Sequence, residues 1–188
     1  MQLRKRLLPS NWSPTGSYTS RTLDLARGYT LLVHAEIEQY LEDRVRDVSD
    51  KAVTHWLATQ APNSVILSIL AYGGDELAQP RKAPLKLEPI ADKVRRKKAD
   101  FHKSLSRSNH GVKEANLTKL LMPIGIAPND LDSAWVADMN TFGSNRGGFA
   151  HNSATSIKSV LNPKDEYEMV QRLLQGLGDL DERLSALL

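Results

Sequence analysis

The chain has 188 residues and no cysteine, so it is neither a disulfide scaffold nor a thiol enzyme, and no cysteine-based zinc site is open to it. Its 40% hydrophobic and 25% charged residues suffice for one substantial core and leave a formal net charge of +3. What matters for partners is therefore where the Lys and Arg cluster, not their total.

Arg4, Lys5 and Arg6 precede only Leu7 and Leu8 before Pro9, which is too short for a signal sequence. The expected location is the cytoplasm. The longest apolar run, Val65 to Tyr72, falls well short of the ~18–20 residues of a membrane span, so no membrane partner is expected.

The first strong pattern is helical. Leu23, Leu31, Ile37, Leu41, Val45 and Val48 fall near one line at about 100° per residue, with Ser17, Thr19 and Ser20 as available caps. Ser49 and Asp50 would cap a continuation through Trp56 that Pro62 stops. A short apolar helix, Ser64 to Tyr72, leads to Gly73-Gly74, and residues 75–90, with three prolines, read as a connector. A basic helix follows from about Pro89 to Ser108, with Ile90, Val94, Phe101 and Leu105 as its apolar side. Then come Val112 to Met122, closed by Pro123 and Gly125, and a helix starting at Pro128 that puts Leu131, Trp135, Met139 and Phe142 on one face. Gly143 is placed to end or kink it.

Asn162 caps the last helix, Pro163 takes its first position, and Val170, Leu173, Leu177, Leu180, Leu184 and Leu187 form a narrow seam that Gly176 and Gly178 weaken. That seam serves either a core or a subunit contact. With no convincing strand, the expected fold is an all-α antiparallel bundle of five to seven helices, residues 1–19 forming an extension and 20–188 the helical domain.

Chemistry concentrates in Gly143-Ser144-Asn145-Arg146-Gly147-Gly148-Phe149-Ala150-His151-Asn152-Ser153. Arg supplies an always-charged fork for phosphate oxygens, and His exchanges a proton near neutrality. A Gly-rich turn with a solvated Arg is the plain alternative, and the segment lacks the lysine of a P-loop. On an ideal helix five residues turn through about 500°, which leaves Arg146 and His151 about 140° apart. Convergence on one phosphate then needs an irregular Gly147-Gly148 backbone or pairing of two copies across a two-fold axis.

On the long helix His34 sits at the centre of the apolar line, with Arg27 and Glu38 within about 40° of it and Glu36 on the opposite side. A buried His satisfied by Glu38 or a carbonyl is one reading; a His34 or Glu38 that lines a cleft is the other. Between Arg81 and Arg107 ten Lys or Arg residues face three acids. Lys93, Arg95, Arg96, Lys97, Lys98, Lys103 and Arg107 form either a solvated helix face or a phosphate-tracking surface for RNA. His102 and His110 have no ligand spacing, so neither metal nor cofactor is assigned.

Arg146 and His151 in an all-α chain resemble the Arg-x4–6-His motif of the HEPN superfamily (higher eukaryotes and prokaryotes nucleotide-binding). The stretches Leu32-Val33-His34-Ala35-Glu36-Ile37-Glu38, Ser108-Asn109-His110-Gly111-Val112, Leu121-Met122-Pro123-Ile124-Gly125 and Phe142-Gly143-Ser144-Asn145-Arg146-Gly147 are similar to the RiboL-PSP type of HEPN domain over roughly residues 20–187. The resemblance implies a HEPN-type bundle with additional helices and a metal-independent endoribonuclease that leaves 2′,3′-cyclic phosphate and 5′-hydroxyl ends. His151 would be its general base or acid and Arg146 its transition-state stabiliser, with RNA as substrate and a homodimer as the working form. It also implies a toxin or phage-defence role with an antitoxin or other regulatory protein. Gly147 departs from the family pattern, where Asn, Asp or His often follows the Arg; Asn145 or Asn152 are the residues that could compensate. A non-catalytic helical module that binds nucleotide, RNA or a partner protein is the alternative.

Overall fold

The computed structural model describes residues 2–61, 63–72, 89–151 and 162–188. Seven α-helices follow one another among them: α1 (Gln2–Leu7), α2 (Ser20–Thr59), α3 (Ser64–Tyr72), α4 (Ile90–Ser108), α5 (Glu114–Leu121), α6 (Ser133–His151) and α7 (Pro163–Ser185). The described residues contain no strand, and the fold is all-α. None of the described helices is long and apolar enough to cross a membrane.

Two compact units make up the chain. One comprises Met1–Tyr40, Gly111–Glu114 and Leu131–Leu180; the other comprises Leu41–His110, Ala115–Asp130 and Asp181–Leu188. In the first unit α2 contributes Ala26, Tyr29, Val33, His34 and Ile37 to the interior, α6 contributes Trp135, Met139 and Phe142, and α7 contributes Val170, Leu173, Leu177 and Leu180. The interior of the second takes Leu41, Val45, Val48 and Ala52 from α2, Val94, Phe101 and Leu105 from α4, and Leu117, Leu120 and Leu121 from α5. The sets follow the i, i+3, i+4, i+7 pattern of a helix, which is why these stretches are helices with one buried stripe.

α2 is a single helix of 40 residues, so Ser49 does not cap a second one. Its buried hydroxyl donates to the Arg46 carbonyl at 2.9 Å and pairs with His102 Nε2 at 2.7 Å, so its hydrogen bonds are made without interrupting the helix. Thr19 caps the start through its Oγ1 and the Thr22 N–H, and Gln60 at φ 57° follows the last residue, ahead of Pro62. Asn63 Oδ1 accepts from the Val65 and Ile66 N–H groups to start α3. In α4 Ile90 is 53% exposed rather than buried with Val94, Phe101 and Leu105, because the first turn runs beyond the core. The connector lies outside the described residues apart from Pro89 and Ile90, as does Gly73-Gly74.

α6 starts later than Pro128, which begins a separate 3-10 turn, Pro128–Asp130. Asp132 Oδ1 accepts from the Trp135 N–H at 2.7 Å and is the cap that sets the true start, which leaves Leu131 outside the helix. Nor does Gly143 end or kink α6. A Cβ there would lie 2.9 Å from Lys113 Cγ, so this glycine admits the Val112–Lys113 segment while the helix continues to His151.

Asn162 accepts the Lys164 N–H at 3.0 Å, capping α7, and Pro163 is its first residue. The seam is buried within the chain from Val170 to Leu184, which removes the reading that reserves it for a second subunit; Leu187 lies past the helix end. Gly176 is a packing requirement rather than a weak point. A Cβ there would stand 2.1 Å from Trp135 Cδ1, and the indole Nε1 donates to the Leu173 carbonyl at 3.1 Å.

Candidate functional site

Trp135, Met139, Phe142 and Arg146 succeed one another on α6 at intervals of four, three and four, so they share one stripe. The first three are buried and Arg146 is exposed: a core-facing row ends in a guanidinium. The helix runs on through Gly147 and Gly148 to His151. This excludes the Gly-rich turn over 143–151 and the irregular backbone, and leaves Arg146 and His151 at helix positions about 140° apart. Asn145 is half-buried, Asn152 lies outside the described residues, and for His151 only its helical placement is described.

From α2, His34 meets this stripe. Its ring is 2% exposed and stacks on Phe142 with centroids 6.0 Å apart and planes 24° from parallel. His34 Nδ1 stands 3.5 Å from Glu38 Oε2, while Glu38 Oε1 accepts the Gly111 N–H at 2.9 Å. Gly111 has φ 131°, a conformation that favours glycine and turns its N–H toward the carboxylate. Burial holds the His34 imidazole below its ordinary pKa; Glu38 opposes the shift and the Arg146 cation adds to it. His34 is thus buried beside Glu38 and stands within electrostatic reach of Arg146. The wheel of α2 brings His34 to Glu38, whereas no motif or spacing marks Phe142 and Gly111 as members of this cluster. The helix break at Ser108 to Gly111, the apolar face that holds Phe142 and the stretches similar to the RiboL-PSP type mark these residues in the sequence without bringing them together.

What this cluster can do is hold an anion. Arg146 makes no hydrogen bond or ion pair to another described residue, and a neutral imidazole beside it adds no competing charge. Among the described residues no three His, Asp or Glu side chains gather as a metal site.

The basic helix α4 belongs to the other unit. Lys98 pairs with Asp50 of α2, Arg95 with Asp92 at 2.9 Å and Arg96 with Asp100 at 3.9 Å. Lys93 and Lys97 are half-buried; Lys103 and Arg107 are exposed, and Arg81, Lys82 and Lys86 lie outside the described residues. Arg46 fixes the end of this helix by donating to the His102 carbonyl and to Ser106 Oγ.

A family model for the RiboL-PSP-HEPN domain matches residues 12–185. The chain belongs to the RiboL-PSP-HEPN family. No curated protein and no solved structure matches it. The RiboL-PSP-HEPN region contains His34, Glu38, Arg146, His151 and the whole of α4. It begins at Trp12, earlier than residue 20, and Trp12 packs on Tyr167 of α7 with ring centroids 5.7 Å apart. The Arg4 guanidinium of α1, outside the RiboL-PSP-HEPN region, lies over both rings.

Proposed function

We propose that this RiboL-PSP-HEPN protein is a metal-independent endoribonuclease that acts on RNA as a homodimer. The ribose 2′-oxygen attacks the neighbouring phosphorus, the bond to the 5′-oxygen breaks, and the ends are a 2′,3′-cyclic phosphate and a 5′-hydroxyl. One proton leaves the 2′-hydroxyl and one reaches the departing 5′-oxygen. His151 takes or gives one of these protons, and Arg146 stabilises the charge that builds on the phosphate oxygens. The observation that carries the reading is the uninterrupted α6, which follows a buried stripe out to Arg146 beside His34 and continues to His151. Since one helix aims these two positions about 140° apart, two copies related by a two-fold axis join Arg146 of one to His151 of the other.

The purified protein, assayed in EDTA on mixed single-stranded RNAs, should release cyclic-phosphate ends, and His151→Ala or Arg146→Ala should lower kcat by at least about a hundredfold while the helical circular dichroism is kept. A wild type as inert as both variants at low salt overturns the enzyme. Expression that arrests growth, relieved by a cognate regulatory protein, is the corresponding expectation for a toxin or defence effector.

Gly147 favours a second reading, a non-catalytic module that binds RNA, nucleotide or a partner protein. Among the described residues a Cβ at Gly147 meets nothing within 4 Å, so no close packing there demands glycine where family members often carry a polar residue. Gly147→Asn should fold normally and, for an enzyme short of one polar partner, raise the cleavage rate. An inert wild type that Gly147→Asn converts into a nuclease would favour the binding module.

A further inference from the structure

Arg27 precedes His34 by seven residues and therefore stands on the same line of α2, about 20° from it, on the side that meets α6. Its height along α6 follows from contacts within the first unit. α6 and α7 run antiparallel: Trp135 bonds to the Leu173 carbonyl and Asp138 pairs with Arg172 at 2.8 Å. Six residues back along α7, Glu166 accepts a hydrogen bond from Thr30 at 2.8 Å. At about 1.5 Å per residue Thr30 is level with roughly residue 144 of α6, and Arg27, nearly one turn earlier, with roughly residue 147. Counting instead from the His34–Phe142 stack gives roughly residue 149. Either route sets Arg27 level with the turn between Arg146 and His151.

The state of the side chain fits a ligand-holding role. Only 18% exposed, it pairs through Nη1 with Asp24 at 2.6 Å, and its Nε is buried with no hydrogen-bond partner among the described residues. An exposed carboxylate three residues away is a weak reason to bring a guanidinium to the core side of a helix. Among the described residues, most of its five N–H donors have no partner. We propose that Arg27 is a second phosphate-binding residue of this site, holding an RNA phosphate in the window between Arg146 and His151. The assignment rests on the ribonuclease reading for its substrate, but its test does not need cleavage.

The probe is an oligoribonucleotide with 2′-O-methyl groups throughout, which presents phosphates without an attacking hydroxyl. Its binding is measured over a salt series for wild type, Arg27→Gln, Arg27→Lys and Asp24→Asn. Arg27→Gln should bind about three- to tenfold more weakly at low salt, with a log–log salt slope shallower by about 0.7. Arg27→Lys should keep the slope, and Asp24→Asn should bind at least as tightly as wild type because the cation is released from its pair. Arg27→Met, which keeps the aliphatic stem, replaces the glutamine variant if that one unfolds. Wild-type affinity and slope in Arg27→Gln overturn the proposal, as does an equal loss in Asp24→Asn, which would make the ion pair the cause. A wild type that does not bind the probe overturns it too. A wild type that binds but never cleaves RNA, with Arg27→Gln weakened, sinks the nuclease and leaves Arg27 as a phosphate residue.

Discussion

Two imidazoles, those of His34 and His102, are held below their ordinary pKa, in both cases chiefly by burial. The unfolded chain therefore binds protons at pH values where the native chain does not. Their contribution to stability is fully present above about pH 6.5 and is lost as pH falls through the lowered native values. Glu166 works in the opposite sense: burial raises its carboxyl, so its contribution is complete below about pH 4.5 and lost as pH rises through the raised value. The His34 effect is accordingly read as a difference between proteins. Between pH 7 and pH 5 the urea midpoint should fall less in His34→Gln than in wild type; parallel curves would mean that the burial of His34 has no electrostatic consequence. His34 and Glu38 are legible as neighbours in the sequence because residues four apart share a helix face. Phe142 is not, because a helical wheel tells which side of a helix is covered and not which side chain covers it.

At the scale of elements, α4 offers the clearest test of whether the protein meets RNA. Part of its charge is already neutralised, by Asp50, Asp92 and Asp100. Arg95→Glu, Lys103→Glu and Arg107→Glu together alter exposed positions and leave the Lys98–Asp50 pair intact. If the helix tracks phosphates, RNA affinity should fall about tenfold or more and the salt slope should flatten by about 0.7 for each phosphate no longer neutralised. An unchanged salt slope would return α4 to a plain solvated face. α7 can be read from its cap, its leading proline and its seam, since each is a local signal. The start of α6 cannot: Pro128-Asn129-Asp130 and Asp132 are both good starters, and which one wins depends on where Trp135 packs. Gly176 looks like a weakness in the sequence for the same reason, because its need to be small lies in an indole 41 residues away along the chain.

For the molecule as a whole, the proposed site raises the question of how Arg146 and His151, at helix positions about 140° apart, would serve one phosphate. Pairing in trans makes a quantitative prediction. Arg146→Ala and His151→Ala, each inactive alone, should regain activity when mixed in equal amounts and allowed to exchange subunits. Half of the dimers are then mixed and one of the two composite sites in each is intact, which gives up to about a quarter of wild-type activity. Absence of any recovery, with exchange demonstrated, would require both groups to act within one copy.

The open space at Gly147 has a practical consequence. In a chain without cysteine, Gly147→Cys would be the only thiol, on α6 and one position past Arg146. A spin label attached there becomes a ruler: in a dimer of the proposed kind, the distance distribution between two labels measures directly how far apart two copies hold their motifs, before any RNA is added and whether or not it is ever cut.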